Sequence, residues 1–453
     1  MDTNSAFIFS HDDAVDTLYS RITLSSEQVE QAREIKDVLL KEIKSKLSSK
    51  LGVDVKHWLQ GSYKNHTLIR PTRKGDEFDI DAGIYLFCHA PQSGISAERA
   101  REQLRNALKE TVSGNRKLKL EASKKNCERI TYDGIFHIDL PVYYFDEVNQ
   151  KCRLASKESG WIDSDPKMLQ ELFQDLTSGL EKDDLAQLRR VIKYLKAWTQ
   201  LKWKGADARK IPSLVISLYL AENYHKKETD HDAFIYNASN FAEYFLTNEK
   251  YICPENGKDL LDFKYEDITY ARTQLTDLKR ECECILENVH YMDSLYAWAE
   301  LFEHLFPPIF HNVNKRELNN ILCKGFPEPK LKICHTDNKR QKFFKVENHT
   351  VKAYKEDRIQ LTISNTDDYP AGAQILWRVK NQGKEASDVY DLGHETVLDI
   401  DKRHEEKCAY SGKHFIEIII FKDGFTYAIS LVNVWIRGNT RPLRNPPKKR
   451  YPK

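Results

Sequence analysis

From Ser26 to Ser48 the apolar residues Val29, Ala32, Ile35, Val38, Leu39, Ile43 and Leu47 recur close to every 3.6 positions, which predicts one long amphipathic helix. Ser25-Ser26-Glu27-Gln28 gives it a capping-type start. The period then shortens. Val55 to Leu59 reads as a strand running into Gly61-Ser62, and Phe78 to Phe87, after a basic loop, as a strand of alternating character. Ala97 to Val112 returns to the helical period. Lys117 to Ala122, Cys127 to Tyr132 and Ile135 to Tyr144 read as strands separated by turn formers. The first third is therefore a mixed sheet with helices against it.

From Asp165 the pattern is almost wholly helical, with segments Pro166 to Leu176, Asp183 to Lys202, Pro212 to Tyr224, Ala233 to Leu246, Thr269 to Val289 and Met292 to Leu305. Pro307-Pro308 ends this region, and Phe326 to Arg340 is a Pro- and Lys-rich connector. Short strand candidates follow at Val346 to Tyr354, Arg358 to Ser364, Ile375 to Asn381, His414 to Phe421 and Thr426 to Trp435, a spacing that suggests a small β-sandwich. The expected class is α+β. Residues 1–160 form a sheet lobe with an N-terminal spine helix, 161–306 a helical lobe, 307–345 a connector, 346–438 a β-sandwich and 439–453 a basic tail.

Composition narrows the field. A chain of 453 residues is too long for one ordinary core. Lys and Arg number 70 against 68 acids, so the whole molecule carries no field for nucleic acid or anionic membrane. Apolar stretches such as Ile418 to Phe421 are far shorter than a membrane span, and Met1 to Asp13 has no apolar h-region. A cytoplasmic, non-membrane protein is expected. The nine cysteines are odd in number and lack a CxxC pair, so idle thiols are favoured over a zinc site at Cys253, Cys282 and Cys284.

The chemistry concentrates between Gly61 and Pro141. On a strand, residues two apart face the same way, so Asp79 and Asp81 project together while Phe78 and Ile80 face the core. Two carboxylates this close repel unless a cation sits between them, and Mg²⁺ prefers such oxygen ligands. Asp139 lies in a second strand amid Ile135, Phe136, Ile138 and Leu140, where an acid is costly without a partner. Three carboxylates on adjacent strands can hold two metal ions for an in-line displacement at phosphorus, with Asp139 the acceptor of the attacking hydroxyl's proton. Gly61 allows close backbone approach, and the Ser62 hydroxyl with nearby N–H groups can hold phosphates. Glu77 shares the Asp79 face and reads as a solvated charge at the strand's entrance. The cations of Arg70-Pro71-Thr72-Arg73-Lys74-Gly75 read as a solvated loop.

The Gly61-Ser62 turn, Asp79-x-Asp81 and the later Ile138-Asp139-Leu140-Pro141 resemble the polymerase-β-type nucleotidyltransferases. Within them, Gly61-Ser62-Tyr63-Lys64 and Asp79-Ile80-Asp81-Ala82-Gly83 are most similar to the bacterial cGAS/DncV-like enzymes (CD-NTases, or SMODS enzymes). That resemblance covers roughly Ser26 to Leu305. It implies a polymerase-β-like core that makes a cyclic di- or oligonucleotide messenger from NTPs, purines favoured, for a downstream effector in anti-phage defence. It also implies Mg²⁺, or Mn²⁺ in its place, on Asp79, Asp81 and Asp139. By the same resemblance Gly61, Ser62, Lys193 and Ser213 contact the nucleotide, with Lys196 the competing lysine. Ile375 to Ala386 and Tyr410 to Glu417 look like the AGS-C sensor domain, which implies an activating ligand there; Trp377 reads as a core plug. The working expectation is a monomer. The alternatives are a synthase of linear oligonucleotides, nucleotidyl transfer to another acceptor, or a catalytically silent nucleotide- or RNA-binding regulator.

Overall fold

A computed structural model describes residues 5–12, 15–88, 90, 93–149, 151–287, 291–309, 325–336, 342–345 and 350–438. The chain divides into two compact units, Met1–Glu283 and Cys284–Lys453.

The first unit opens with two short helices, α1 (Ser5–Ile8) and α2 (Leu18–Ile22), followed by the long α3 (Ser26–Leu51). Ser25 and Gln28 cap α3 reciprocally, each side chain accepting the other's backbone N–H, and Gly52 ends it in the left-handed conformation. Its buried face is Ala32, Leu39, Leu40, Ile43 and Leu47, while Val29 and Val38 are exposed. The core-facing stripe is thus narrower than the apolar pattern suggests.

The elements that follow are β1 (Asp54–Gln60), α4 (Gly61–Lys64), β2 (Phe78–Phe87), α5 (Ala97–Val112), β3 (Leu118–Leu120), β4 (Glu128–Tyr132), β5 (Phe136–Leu140), β6 (Val142–Asp146), β7 (Lys151–Ser156) and β8 (Gly160–Asp163). The strands form one sheet in the order β3-β4-β5-β2-β6-β7-β8, with β1 antiparallel to β2. Both β5 and β6 run parallel to β2, β5 against its first half and β6 against its second. Pro141 sits at the break between them, and its carbonyl accepts the Ile84 N–H at 2.9 Å. The sheet's polar seam is anchored from behind. Glu128 of β4 is 1 % exposed and takes Arg101 at 2.9 Å and Arg105 at 2.6 Å, both from α5. A buried carboxylate with two guanidinium partners fixes the register of β4, and by alternation turns the next residue, Arg129, to the opposite face.

Helices α6 (Pro166–Thr177), α7 (Lys182–Lys202), α8 (Ser213–Asn223), α9 (Asp230–Thr247) and α10 (Tyr265–Glu287) complete this unit. Leu188, Val191, Ile192, Tyr194, Leu195 and Trp198 of α7 are buried, and Arg190 of the same helix forks onto Asp230 of α9 at 2.7 and 2.8 Å.

The second unit holds α11 (Tyr291–Phe302), a 3₁₀ turn at Glu303–Leu305, and the strands β9 (Leu331–Thr336), β10 (Lys342–Lys345), β11 (Thr350–Tyr354), β12 (Arg358–Ile363) and β13 (Gln374–Lys380). It continues with α12 (Lys384–Asp388), β14 (Gly393–Asp399), β15 (His404–Lys407), β16 (Gly412–Lys422) and β17 (Phe425–Arg437). One sheet has the order β10-β9-β12-β15 and the other β11-β17-β16-β13-β14. They share an apolar core in which Ile359 and Leu361 meet Ile375, Trp377, Ile418 and Val432. Trp377 is fully buried there, its ring stacked on His404 at 4.9 Å.

Some elements lie where the sequence expectation did not place them. The sandwich starts at Leu331, inside the segment 307–345 expected to be a connector, because Leu331 and Ile333 alternate inward despite the surrounding lysines. Strands β14 and β15 are too polar for an alternation argument to find. Helix α11 belongs with the second unit and not with the helical lobe. Residues 346–349, at the start of one expected strand, and the tail 439–453 lie outside the described residues. Among the described residues no helix is long and apolar enough to cross a membrane.

The second unit also contains a buried ionic cluster. Arg378 of β13 is 0 % exposed and meets Glu300 of α11 at 2.9 Å, Glu417 of β16 at 3.5 Å, and Glu395 of β14. Lys380, equally buried, holds the other oxygen of Glu417 at 2.7 Å.

Candidate active site

The site grows from strand alternation. In β2, Phe78 and Ile80 are buried, which turns Asp79 and Asp81 to the other face; in β5, Phe136, Ile138 and Leu140 do the same for His137 and Asp139. Parallel pairing sets Asp79 beside His137 and Asp81 beside Asp139, so four ligand-type side chains form a two-by-two array. Donor atoms of Asp79, His137 and Asp139 all lie within 4.8 Å of one another. Asp81 is outside that set and lies deeper, against the Gly61 turn.

The surrounding charges are complementary. Arg129 of β4, paired across from Asp139, grips it with Nε at 2.5 Å and Nη2 at 2.6 Å, and reaches Asp79 at 3.5 Å. Lys124 stands 3.6 Å from Asp139. Glu77 Oε2 accepts from His137 Nδ1 at 3.1 Å, while His137 Nε2 abuts Asp79. Burial works to raise the Asp79 carboxyl, but His137, Arg129 and Lys124 outweigh it and hold the group below the usual range. Asp81 goes the other way. Burial first, then repulsion from Asp79 and Asp139, pushes it up to about 7. That repulsion is the physical mark of a place for a cation, and the oxygen and nitrogen donor set fits a divalent ion.

The phosphate-type turn adjoins this array. Gln60 pairs with Asp81, and Gly61 follows with φ of 60°, so a Cβ there would stand 2.6 Å from Asp81 Oδ2. Only glycine lets the turn pass this close to the carboxylate. The loop closes where the Thr67 N–H donates to the Ser62 carbonyl at 2.9 Å.

A cavity of about 170 Å³ runs from this turn to the helices, lined by Ser62, Glu77, Asp79, Lys196, Lys210 and Ser213, among others. A wider one of about 530 Å³ adjoins it, with Arg73, Arg129, His137 and Lys210 on its walls. Ser62, Asp79 and Ser213 therefore share one cavity. Lys193 does not line it. Its ammonium lies 3.4 Å from the Tyr19 hydroxyl, whereas Lys196, on the next turn of α7, takes the cavity position. Lys196 donates to the Thr67 carbonyl at 2.8 Å, and burial together with Lys193 and Lys210 pushes it down to about 7. Of the basic loop, Arg73 lines the wider cavity, while Arg70 is buried.

Sequence reasoning missed His137, Arg129 and Lys210. The first two were within reach, since His137 shares the Asp139 face by simple alternation and Arg129 stands across from Asp139 once the β4–β5 hairpin is drawn. Lys210 precedes Ile211-Pro212-Ser213 in a segment with no periodic signal.

Residues 55–143 match the family model of the cyclic GMP-AMP synthase DncV-like nucleotidyltransferase domain, and residues 307–437 that of the adenylyl/guanylyl and SMODS C-terminal sensor domain, AGS-C. The chain carries a DncV-like nucleotidyltransferase domain ahead of an AGS-C domain. It is 29% identical over 433 residues to a cyclic GMP-AMP synthase of Escherichia albertii, covering 96% of each chain. A cyclic GMP-AMP synthase of Vibrio cholerae serotype O1 is 27% identical over 226 residues, 40% of this chain and 50% of that protein. In fold it is similar to Vibrio cholerae DncV crystallised with the linear intermediate 5′ pppA(3′,5′)pG, with a TM-score of 0.53, 19% identity, and coverage of 68% of this chain and 95% of that one. Escherichia coli DncV in its 3′-deoxy GTP bound form gives a TM-score of 0.53, 20% identity, and coverage of 66% and 96%.

For a DncV-like nucleotidyltransferase domain the Gly61 contact makes a direct prediction. Gly61→Ala adds a methyl group 2.6 Å from Asp81 Oδ2 at a left-handed φ, so Asp81 or the Ser62 turn must shift. Displacements near an ångström at a reacting centre cost on the order of 100-fold. Initial rates should fall by about that factor while the circular dichroism spectrum is unchanged. A rate within a few-fold of the parent would separate the turn from the chemistry.

Proposed function

We propose that this chain joins nucleoside triphosphates, purines foremost, into a cyclic dinucleotide or oligonucleotide, with Asp79, Asp81 and Asp139 as the catalytic acids. The observation that carries the reading is one juxtaposition: the paired acids of β2 and β5 stand beside the Gly61-Ser62 turn, on a cavity walled by Lys196, Lys210 and Ser213. The names of the curated relatives, cyclic GMP-AMP synthases, support it from outside.

In this reading Ser62, Lys196 and Ser213 hold the donor triphosphate, and Lys210 and Arg73 add positive charge where it leaves and where the second nucleotide enters. Divalent cations held by Asp79, Asp81 and Asp139 would supply activation of the ribose hydroxyl and neutralisation of the pyrophosphate. Asp139 takes the hydroxyl proton. Arg129 holds both oxygens of its carboxylate in place. Cyclisation needs a second transfer in the same site, with the first product turned over. The AGS-C domain acts as the sensor that gates the reaction for an activating ligand, and the product serves a downstream effector in a cytoplasmic antiviral response.

Incubation of the purified chain with the four NTPs and Mg²⁺ or Mn²⁺, with mass spectrometry of phosphatase-resistant material, tests the reading. A cyclic product lost in both Asp79→Asn and Asp81→Asn is expected. Linear product alone would replace the cyclase with a linear oligonucleotide synthase, and product persisting in both variants would remove the acids from the mechanism.

The low-lying ammonium of Lys196 adds a second expectation. In the free chain at pH 8 it is largely neutral, and a bound triphosphate favours its charged form. Nucleotide binding should therefore take up as much as about one proton at pH 8, fading toward pH 6, where Lys196 is already charged. Calorimetry in two buffers of different ionisation enthalpy reads this directly. Uptake unchanged in Lys196→Met would exclude the lysine as its source.

A further inference from the structure

We infer that His137 is itself a metal ligand, making the cation site of this chain a mixed nitrogen–oxygen site. The inference rests on reading the acid array as a divalent-cation site, and it goes beyond the three carboxylates that such a reading needs.

Three observations carry it. First, His137 belongs to the one group of three or more His, Cys, Asp or Glu side chains among the described residues whose donor atoms cluster closely enough to share one ion, all within 4.8 Å. Ligands about 2.0–2.2 Å from an ion cannot lie much farther apart than roughly 4.4 Å across it, close to the bound within which this set falls. Second, the ring is only 8 % exposed, and its Nε2 is turned onto a carboxylate oxygen of Asp79. Third, the other ring nitrogen is accounted for, with Nδ1 3.1 Å from Glu77 Oε2.

Together these form the carboxylate–histidine–metal arrangement found at many metal sites. With Nδ1–H donating to Glu77, the Nε2 lone pair points at Asp79. A cation entering between Nε2 and the Asp79 carboxylate would be coordinated by both. Glu77 thereby becomes a positioning residue that fixes the ring's tautomer and tilt. The rival arrangement is an imidazolium bridging Glu77 and Asp79 with two protons. It would leave the site with oxygen donors alone.

The consequence is metal preference. Imidazole nitrogen suits first-row ions, with affinity rising from Mn²⁺ through Fe²⁺ and Ni²⁺ to Cu²⁺, whereas Mg²⁺ favours oxygen and water. This chain should therefore favour first-row ions, Mn²⁺ included, over Mg²⁺ more strongly than three carboxylates would.

The test is electron spin echo modulation on the full-length protein loaded with Mn²⁺, prepared once at natural abundance and once with ¹⁵N-histidine. The expected result is a ¹⁴N modulation from a directly bound imidazole, replaced by the ¹⁵N pattern on labelling. It should vanish in His137→Gln, with Mn²⁺ affinity lowered on the order of tenfold and Mg²⁺ affinity changed much less. Glu77→Gln should weaken Mn²⁺ by a similar factor while keeping the modulation. Because labelling needs no substitution, the measurement stands even where a variant folds poorly. Mn²⁺ bound in a manner lost in Asp79→Asn, yet with no histidine nitrogen modulation, would overturn the inference and leave the cation site intact. Modulation surviving in His137→Gln would also overturn it. Mn²⁺ failing to bind, or binding equally well to Asp79→Asn, would remove the cation-site reading itself.

Discussion

An Asp139→Asn chain is expected to lose nucleotidyl transfer by about three orders of magnitude or more, while melting within about 5 °C of the parent. Asp139 is where the charges of the site converge, with the Arg129 fork at 2.5 and 2.6 Å and Lys124 at 3.6 Å. An amide keeps the size and one acceptor oxygen but loses the charge that holds a cation and the basicity that takes a hydroxyl proton. Losing several kcal/mol of transition-state stabilisation corresponds to at least a thousandfold in rate at 1.36 kcal/mol per tenfold. The fold loses less. A hydrogen bond to a charged group contributes about 1.5–3 kcal/mol, and Arg129 keeps Asp79 within reach and a cavity beside it. Initial rates with Mn²⁺, set beside thermal melts, separate the two effects. Activity retained within tenfold of the parent would remove Asp139 from the chemistry.

What made this site legible in the sequence was the clash between local pattern and charge. Asp79, Asp81 and Asp139 stand in runs whose other members are apolar, and a strand period of two then assigns them a common face without any knowledge of the fold. Pairing is different. That β5 and β6 lie parallel to successive halves of one strand, hinged at Pro141, depends on contacts some sixty residues apart that no local pattern encodes. The lysine of α7 shows the same limit. Lys193 and Lys196 are both compatible with a helix facing the cavity. Which one lines it is decided by the helix's rotation against Leu188, Val191, Ile192 and Leu195, and that rotation sends Lys193 toward Tyr19. In the second unit, β14 and β15 were invisible because His394, Glu395, Glu405 and Glu406 look like a loop. Glu395 is tolerable in a buried strand only because Arg378 stands across from it in the ladder.

That dependence gives the second large effect. Arg378→Met is expected to destabilise the second unit by about 3–5 kcal/mol, the range for removing one partner from a buried ionic group. Arg378 and Lys380 together face Glu300, Glu395 and Glu417, and Arg378 is the cation that touches all three. Without the guanidinium, the buried Glu417 and the largely buried Glu395 are left with one ammonium between them, while Glu300 is half exposed and keeps its water. Hydrogen exchange on the full chain reads the loss locally. Protection of the amides in β13, β14 and β16 should fall by about 10²–10³-fold or more, while the sheet around Asp79 keeps its own. The pH dependence fixes the cause. Burial already raises the Glu395 carboxyl with Arg378 opposing it, so removing Arg378 raises it further. A carboxyl raised in the folded state costs stability above its unfolded value, and the cost is relieved as pH falls through the folded one. The gap between variant and parent should therefore narrow from pH 7 toward pH 5. Arg378→Lys should lie between the two, because a single ammonium cannot reach Glu300, Glu395 and Glu417 at once as the planar fork does. A gap that stays constant with pH would assign the loss to packing alone, and protection unchanged in Arg378→Met would show that α11 and the sheet are held together by their apolar contacts.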